Sequence, residues 1–142
     1  MAECLKPCYD GRLVMAGYRS DDLAETYAAM DFAMLLGLGS EGSARAALEA
    51  MACGRPVIGI RRGALIDTIE DGVDGFLLEE NDADGLRDRL VRLMNSRELC
   101  ERMGAAAKEK VLRLFTEEER FRRTVDAYEK AANAYEKAAN AP

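Results

Sequence analysis

The stretch from Asp31 to Ile60 constrains this chain more than any other. It contains two short apolar runs, Asp31-Phe-Ala-Met-Leu-Leu36 and Arg55-Pro-Val-Ile-Gly-Ile60. Between them lie a glycine-rich loop, Gly37 to Gly42, and a run of small residues from Ala44 to Cys53. Apolar runs this short, bounded by glycine, read as buried strands. The small-residue run reads as a helix that stops at Gly54, and Ala46, Ala47, Ala50 and Ala52 let it pack closely on a sheet. Pro56 is tolerated at the start of the following strand. Strand, loop, helix, strand is the unit from which parallel sheets with right-handed crossovers are built.

The rest of the chain repeats this punctuation. Arg12 to Gly17 reads as an earlier strand, and a helix capped by Asp21 or Asp22 runs to about Met30, with Leu23, Tyr27 and Met30 on one face. Ala64 to Glu70 reads as a short helix. Asp71-Gly72 and Asp74-Gly75 are turn signals, and Gly75 to Leu78 is a fourth strand. From Asp82 onward the pattern is helical. Leu86, Leu90, Leu93 and Met94 form one apolar stripe, and Asn95-Ser96 breaks it. Arg97 to Phe115 is the next helix, with Leu99, Met103, Ala107, Val111 and Leu114 inward. Thr116-Glu-Glu-Glu119 has the form of a capping box opening the last helix.

The tail stands apart. Ala127 to Asn133 recurs without change as Ala134 to Asn140. Two heptads are too few to sustain a coiled coil, and this repeat offers only alanine and tyrosine for burial, so it reads as a duplicated or engineered helix extension. The organisation expected is a domain over residues 1–126 and a helical tail over 127–142. The fold class expected is α/β, a truncated Rossmann-like parallel sheet with flanking helices and an all-helical C-terminal segment.

Composition narrows the chemistry. The net charge of −6 argues against non-specific nucleic-acid binding. No apolar run has the length of a transmembrane helix, and no signal-peptide pattern opens the chain, so a cytoplasmic location is expected. With no histidine, Ser-His-Asp and Cys-His catalysis are excluded within the chain, as are mixed Cys/His zinc sites. Cys4, Cys8, Cys53 and Cys100 read as reduced thiols. No metal or cofactor is expected.

Charge is placed at the mouth of the small-residue helix. Glu41-Gly42 precedes it, and Glu49 follows eight positions after Glu41. A helix N-terminus attracts anions through its free N–H groups and dipole, whereas carboxylates repel phosphate and suit hydroxyl groups. The pair therefore fits a sugar or ribose attached to a phosphate. Helix decoration by dipole-favoured acids explains the same spacing. The position after a strand and before a helix, where open α/β sheets bind ligands, favours the site.

These residues carry a resemblance. The run from Asp31 to Ile58, with Glu41-Gly42 and then the Leu48 to Ile58 segment, resembles the C-terminal half of retaining GT-B glycosyltransferases. More narrowly it resembles glycosyltransferase family 4, also called glycosyl transferases group 1, whose signature is a Glu, seven residues and a Glu. The segments Ala16 to Leu36, Ile69 to Leu86 and Phe115 to Ala131 resemble those flanking the signature. The resemblance implies that Glu41 accepts hydrogen bonds from hydroxyls of a donor hexose and is the catalytic-site acid. It implies that Glu49 binds the nucleotide ribose, and that the amides of Gly42, Ser43 and Ala44 face the diphosphate or sugar. Residues 1–126 are then part of a nucleotide-sugar-binding domain. The partner is a nucleotide-sugar donor, and no metal is required.

The chain also departs from the family pattern. Gly37-Leu38 stands where the family usually has Pro-Ser, and Ser43-Ala44 where it often has an aromatic residue and glycine. Arg45 reads either as a phosphate contact or as a solvated side chain. Two further strands, the region with the diphosphate-binding Arg and Lys, and the N-terminal domain are expected to be missing. Without those cations the site is acidic. The function expected is a donor-binding fragment that moves a hexose from a nucleotide-sugar to a saccharide or lipid acceptor with retention, inactive alone. The alternatives are a non-catalytic module pairing with a separate N-terminal chain, and an engineered structural fragment. Missing strands also leave apolar strand edges open, so a homodimer through them, or a first strand that crosses to close the gap, is expected.

Overall fold

The computed structural model describes residues 14, 16, 17, 19–37 and 41–139, without the side chains of residues 41–43. The elements run α1 (Leu23–Ala28), β1 (Ala33–Leu35), α2 (Glu41–Ala52), β2 (Val57–Ile60), α3 (Leu65–Thr68), β3 (Gly75–Leu78), α4 (Ala83–Met94), α5 (Arg97–Leu114) and α6 (Glu117–Ala139). The strands form one parallel sheet in the order β1-β2-β3. Ala33 stands opposite Val57, and Val57 opposite Gly75. This is the α/β, Rossmann-like arrangement expected, with the all-helical segment following β3.

Strand alternation divides the core. Val57 and Leu77 point to one face, where they pack with Ala47, Ala50 and Met51 of α2, Leu65 and Ile69, and Ala107 and Val111 of α5. Ile58, Phe76 and Leu78 point to the other, where they meet Leu93, Met103 and the half-buried Leu86, Leu90 and Leu99. Period-two strands thus place one side chain in each layer in turn. Arg89 and Arg92 of α4 lay their guanidinium groups over the Phe76 ring, 5.2 and 4.9 Å from its centre. These are cation–π contacts on a buried aromatic.

Helix ends follow their sequence signals. Asp82 accepts from Gly85 N–H at 2.8 Å, and Ser96 from Leu99 N–H at 3.1 Å. At the end of α2, Gly54 adopts φ +71°, its N–H reaches Met51 C=O, and Arg55 N–H reaches Ala50 C=O. This is a Schellman closure, which explains why glycine ends the helix. The capping box before α6 closes on one side only. Thr116 Oγ1 accepts from Glu119 N–H at 3.2 Å, while the Glu119 carboxylate turns to Arg122 and Arg123. Those two hydrogen-bonded guanidinium groups hold its carboxyl down at about 2.

Several expectations are corrected. The helix expected from Ala44 begins at Glu41, so Glu41 and Gly42 belong to its first turn and not to the loop. The donors of a first turn have no intrahelical partner in any case, so poor helix formers are tolerated there. Met94 leaves the α4 stripe and is 73% exposed, while Leu93 beside it in the same last turn is buried. Asp22 sits at the cap of α1, but its carboxylate engages Arg19 and caps no backbone N–H. Most of the strand expected at Arg12 to Gly17 lies outside the described residues. Val14, Ala16 and Gly17 are exposed and belong to no strand. Among the described residues β1 pairs only with β2, which leaves its other edge open. Tyr128 and Tyr135 of the repeat are exposed.

Candidate functional site

All three strands are parallel, so their carboxyl ends lie together at one end of the sheet. α2 begins at that end, after β1 and the intervening loop. Leu36, Ile60 and Leu78, at or just past the strand ends, line a recess of about 340 Å³ there, with Glu79, Asn81, Asp82, Ala83 and Leu86. Asn81 turns the chain with φ +64°, a left-handed conformation that asparagine adopts more readily than most residues. The crevice outside the carboxyl ends of the strands is where open α/β sheets hold ligands.

The predicted site residues fall on one element. Glu41, Gly42, Ser43 and Ala44 form the first turn of α2, and Glu49 lies two turns further. Eight residues of α-helix separate the backbones of Glu41 and Glu49 by about 12 Å along the axis. The side chains of Glu41, Gly42 and Ser43 lie outside the described set. Ala44 is half-buried.

Glu49 is engaged on both oxygens. Tyr27 of α1 donates its hydroxyl to Oε2 at 3.2 Å, and the Arg45 guanidinium lies 3.4 Å from Oε1. The Arg45 side chain is 85% exposed, so that contact is a weak surface pair. Burial pushes the Tyr27 phenol above its ordinary value, and the charge and hydrogen bond of Glu49 push it the same way. Reading the sequence placed Tyr27 only on the apolar face of α1. It lies 22 residues from its partner, so no local spacing marks the contact.

Two larger cavities differ in chemistry. One of about 680 Å³ between α6, the end of α5 and Leu48 is mostly apolar, and its Arg120 and Arg123 are paired with Glu117 and Glu119. The other, about 630 Å³, is lined by Phe32 and Arg55, which precede β1 and β2, and so lies at the opposite end of the sheet. Its charges are mixed, with Asp31 and Arg55 beside an Arg97–Glu101 pair at 2.8 Å. Cys53 and Cys100 are half-buried free thiols, and burial pushes the Cys100 thiol up. Among the described residues no three Cys, Asp or Glu side chains gather as a metal site. No helix among them is long and apolar enough to cross a membrane.

Comparison with known proteins agrees with this architecture. The family model described as "Glycosyl transferases group 1" matches residues 9–110. The N-acetyl-alpha-D-glucosaminyl L-malate synthase of Bacillus anthracis is 36% identical over 110 residues, 78% of this chain and 28% of that protein. The MMP alpha-(1->4)-mannosyltransferase of Mycolicibacterium hassiacum is 32% identical over 117 residues, again 28% of its length. The chain thus spans less than a third of these relatives. Among solved structures, sucrose-phosphate synthase of Thermosynechococcus elongatus superposes with a TM-score of 0.74 at 25% identity, covering 94% of this chain and 34% of that one. HepE of Anabaena, in complex with UDP and glucose, gives 0.75 at 22% identity, over 89% of this chain and 35% of that one, a likeness of fold. On the match of residues 9–110 and the agreement of these relatives, the chain belongs to the glycosyl transferases group 1 family.

Proposed function

We propose that this chain supplies the donor side of a glycosyltransferase cleft and does not transfer sugar by itself. It binds a nucleotide-sugar through the first three turns of α2, and the parent reaction moves a hexose with retention to a saccharide or lipid acceptor. Glu41 accepts from hexose hydroxyls, Glu49 from the ribose, and the amides of Gly42, Ser43 and Ala44 meet the diphosphate between them. The observation that carries this reading is the two-turn separation of the acids on a helix that opens at the carboxyl end of the sheet.

That separation suits the two ends of a sugar-diphosphate-ribose ligand. A carboxylate accepts paired hydroxyls well, and helix N–H groups favour the anion between. HepE, which shares this fold at low identity, has been captured with UDP-glucose. The family membership and the span of less than a third of the relatives support a partial cleft. Binding is expected to be weak, because the described first turns of α2 carry Arg45 as their one cation.

Calorimetry tests the reading. UDP-glucose, GDP-glucose and ADP-glucose are titrated into the chain and into Glu41→Ala and Glu49→Ala. The expected result is binding of at least one donor with a Kd of roughly millimolar order, lost in both variants, with no sugar transferred to any acceptor. Unchanged binding in both variants, or no binding of any donor, overturns it.

A further inference from the structure

Glu49 has a partner that the donor-site reading does not require. Tyr27 comes from α1, its ring packs beside the core layer of α2, and its hydroxyl donates to Glu49 Oε2 at 3.2 Å. Among the described residues the other oxygen faces only the highly exposed Arg45 at 3.4 Å. Take the hydroxyl away, and the exposed Arg45 is the partner left to Glu49 among the described residues to fix its rotamer.

The hydroxyl is not needed to hold α1 in place. Arg55 Nη2 donates to Ala28 C=O at 2.7 Å and ties the end of α1 to the chain beyond α2. Cys53 Sγ lies 3.8 Å from Ala24 C=O, a weaker tie one turn from Glu49. Tyr27 itself packs through its ring. Replacing it with phenylalanine preserves the packing and both ties.

An ionised carboxylate offers about four acceptor positions, and Tyr27 fills one of them. The remaining positions suit two adjacent hydroxyls, provided the carboxylate plane is fixed. We propose that Tyr27 is the positioning residue for Glu49, holding Oε2 so that the carboxylate meets both hydroxyls of the donor's ribose. This inference rests on the donor-site reading of Glu49. Tyr27 does not touch the ligand; it acts through the carboxylate and sharpens selection of a ribose over a 2′-deoxyribose.

The test measures that selection. The Kd of whichever of UDP, GDP and ADP binds tightest is compared with that of its 2′-deoxy counterpart, in the unaltered chain, Tyr27→Phe and Glu49→Gln. Thermal melts are recorded alongside. The expected result is a ribose preference that falls about three- to tenfold in Tyr27→Phe, the range one hydrogen bond commonly accounts for. The preference disappears in Glu49→Gln, and the melting temperature of Tyr27→Phe stays unchanged. If Tyr27→Phe keeps the full preference while Glu49→Gln loses it, the positioning role is wrong and the donor site stands. A marked fall in the Tyr27→Phe melting temperature makes the hydroxyl a structural tie and also overturns the role. If no nucleotide binds, or Glu49→Gln keeps the preference, the donor-site reading fails and this inference fails with it.

Discussion

Asp74 shows how far a residue's role can depart from its local signal. In sequence, Asp74-Gly75 marks a turn, and a turn is what the backbone makes. Yet Asp74 is almost wholly buried. Its Oδ1 accepts from Glu70 N–H at 2.8 Å, and its Oδ2 meets Lys110 Nζ at 2.8 Å. The lysine sits 36 positions away on α5, so spacing gives no hint of the pair. Removing one member strands the other's charge in the interior, which typically costs about 3–5 kcal/mol. Lys110→Met is therefore expected to lower unfolding stability by about that amount in urea denaturation, with Asp74→Asn milder because its side-chain oxygen still accepts from Glu70. Loss of less than about 1 kcal/mol in Lys110→Met would mean the pair is not buried as described. Tyr27 teaches the same lesson at the candidate site. Its apolar ring was legible from helical spacing, whereas its polar contact depended on a fold that brings α1 against α2.

The elements themselves were largely legible, because their signals are local. β3 occupies the expected Gly75–Leu78. β2 lies within the expected run, and Asp82 and Ser96 cap the helices they precede. What sequence periodicity missed lies at element ends. Gly42 and Ser43 argue for loop by propensity, yet they join the first turn of α2, where propensity counts least. Met94 continues the stripe of α4 on paper, yet Leu93 is the residue of that last turn that is buried. Packing between elements was also hidden. A Cβ placed on Gly104 of α5 would collide with the carbonyl of Gly54, the glycine that closes α2. Gly104 is thus the notch that admits the end of the signature helix. Gly104→Ala is expected to destabilise the fold by about 1–3 kcal/mol, the usual cost of overpacking, despite alanine's better helix propensity. A thermal melt at or above that of the unaltered chain would show that the contact has room to relax.

At the scale of the molecule, the alternation of short apolar runs with helical segments dictated a parallel sheet, and the family pattern followed from several ordered motifs along most of the chain. The sheet order β1-β2-β3 keeps sequential neighbours adjacent, and parallel pairing gathers the strand ends, the recess and the mouth of α2 at one end. The position of the recess at the strand ends was therefore readable once the fold class was known. The orientation of its side chains was not, since that depends on contacts distant in sequence. Among the described residues β1 pairs only with β2, so its other edge is open. Tyr128 and Tyr135, exposed on α6, bury nothing that would make the repeated tail part of the core.

The central claim is that the donor is held at the mouth of α2. An amide NMR titration with UDP-glucose tests it most directly, since it reports where a ligand lands even when binding is weak. The account predicts that the largest shifts fall on the amides of Gly42, Ser43 and Ala44 and around Glu49, with smaller ones at Leu36, Ile60 and Leu78 along the recess. Shifts centred instead on Asp31, Arg55 and Arg97, at the opposite end of the sheet, would contradict it.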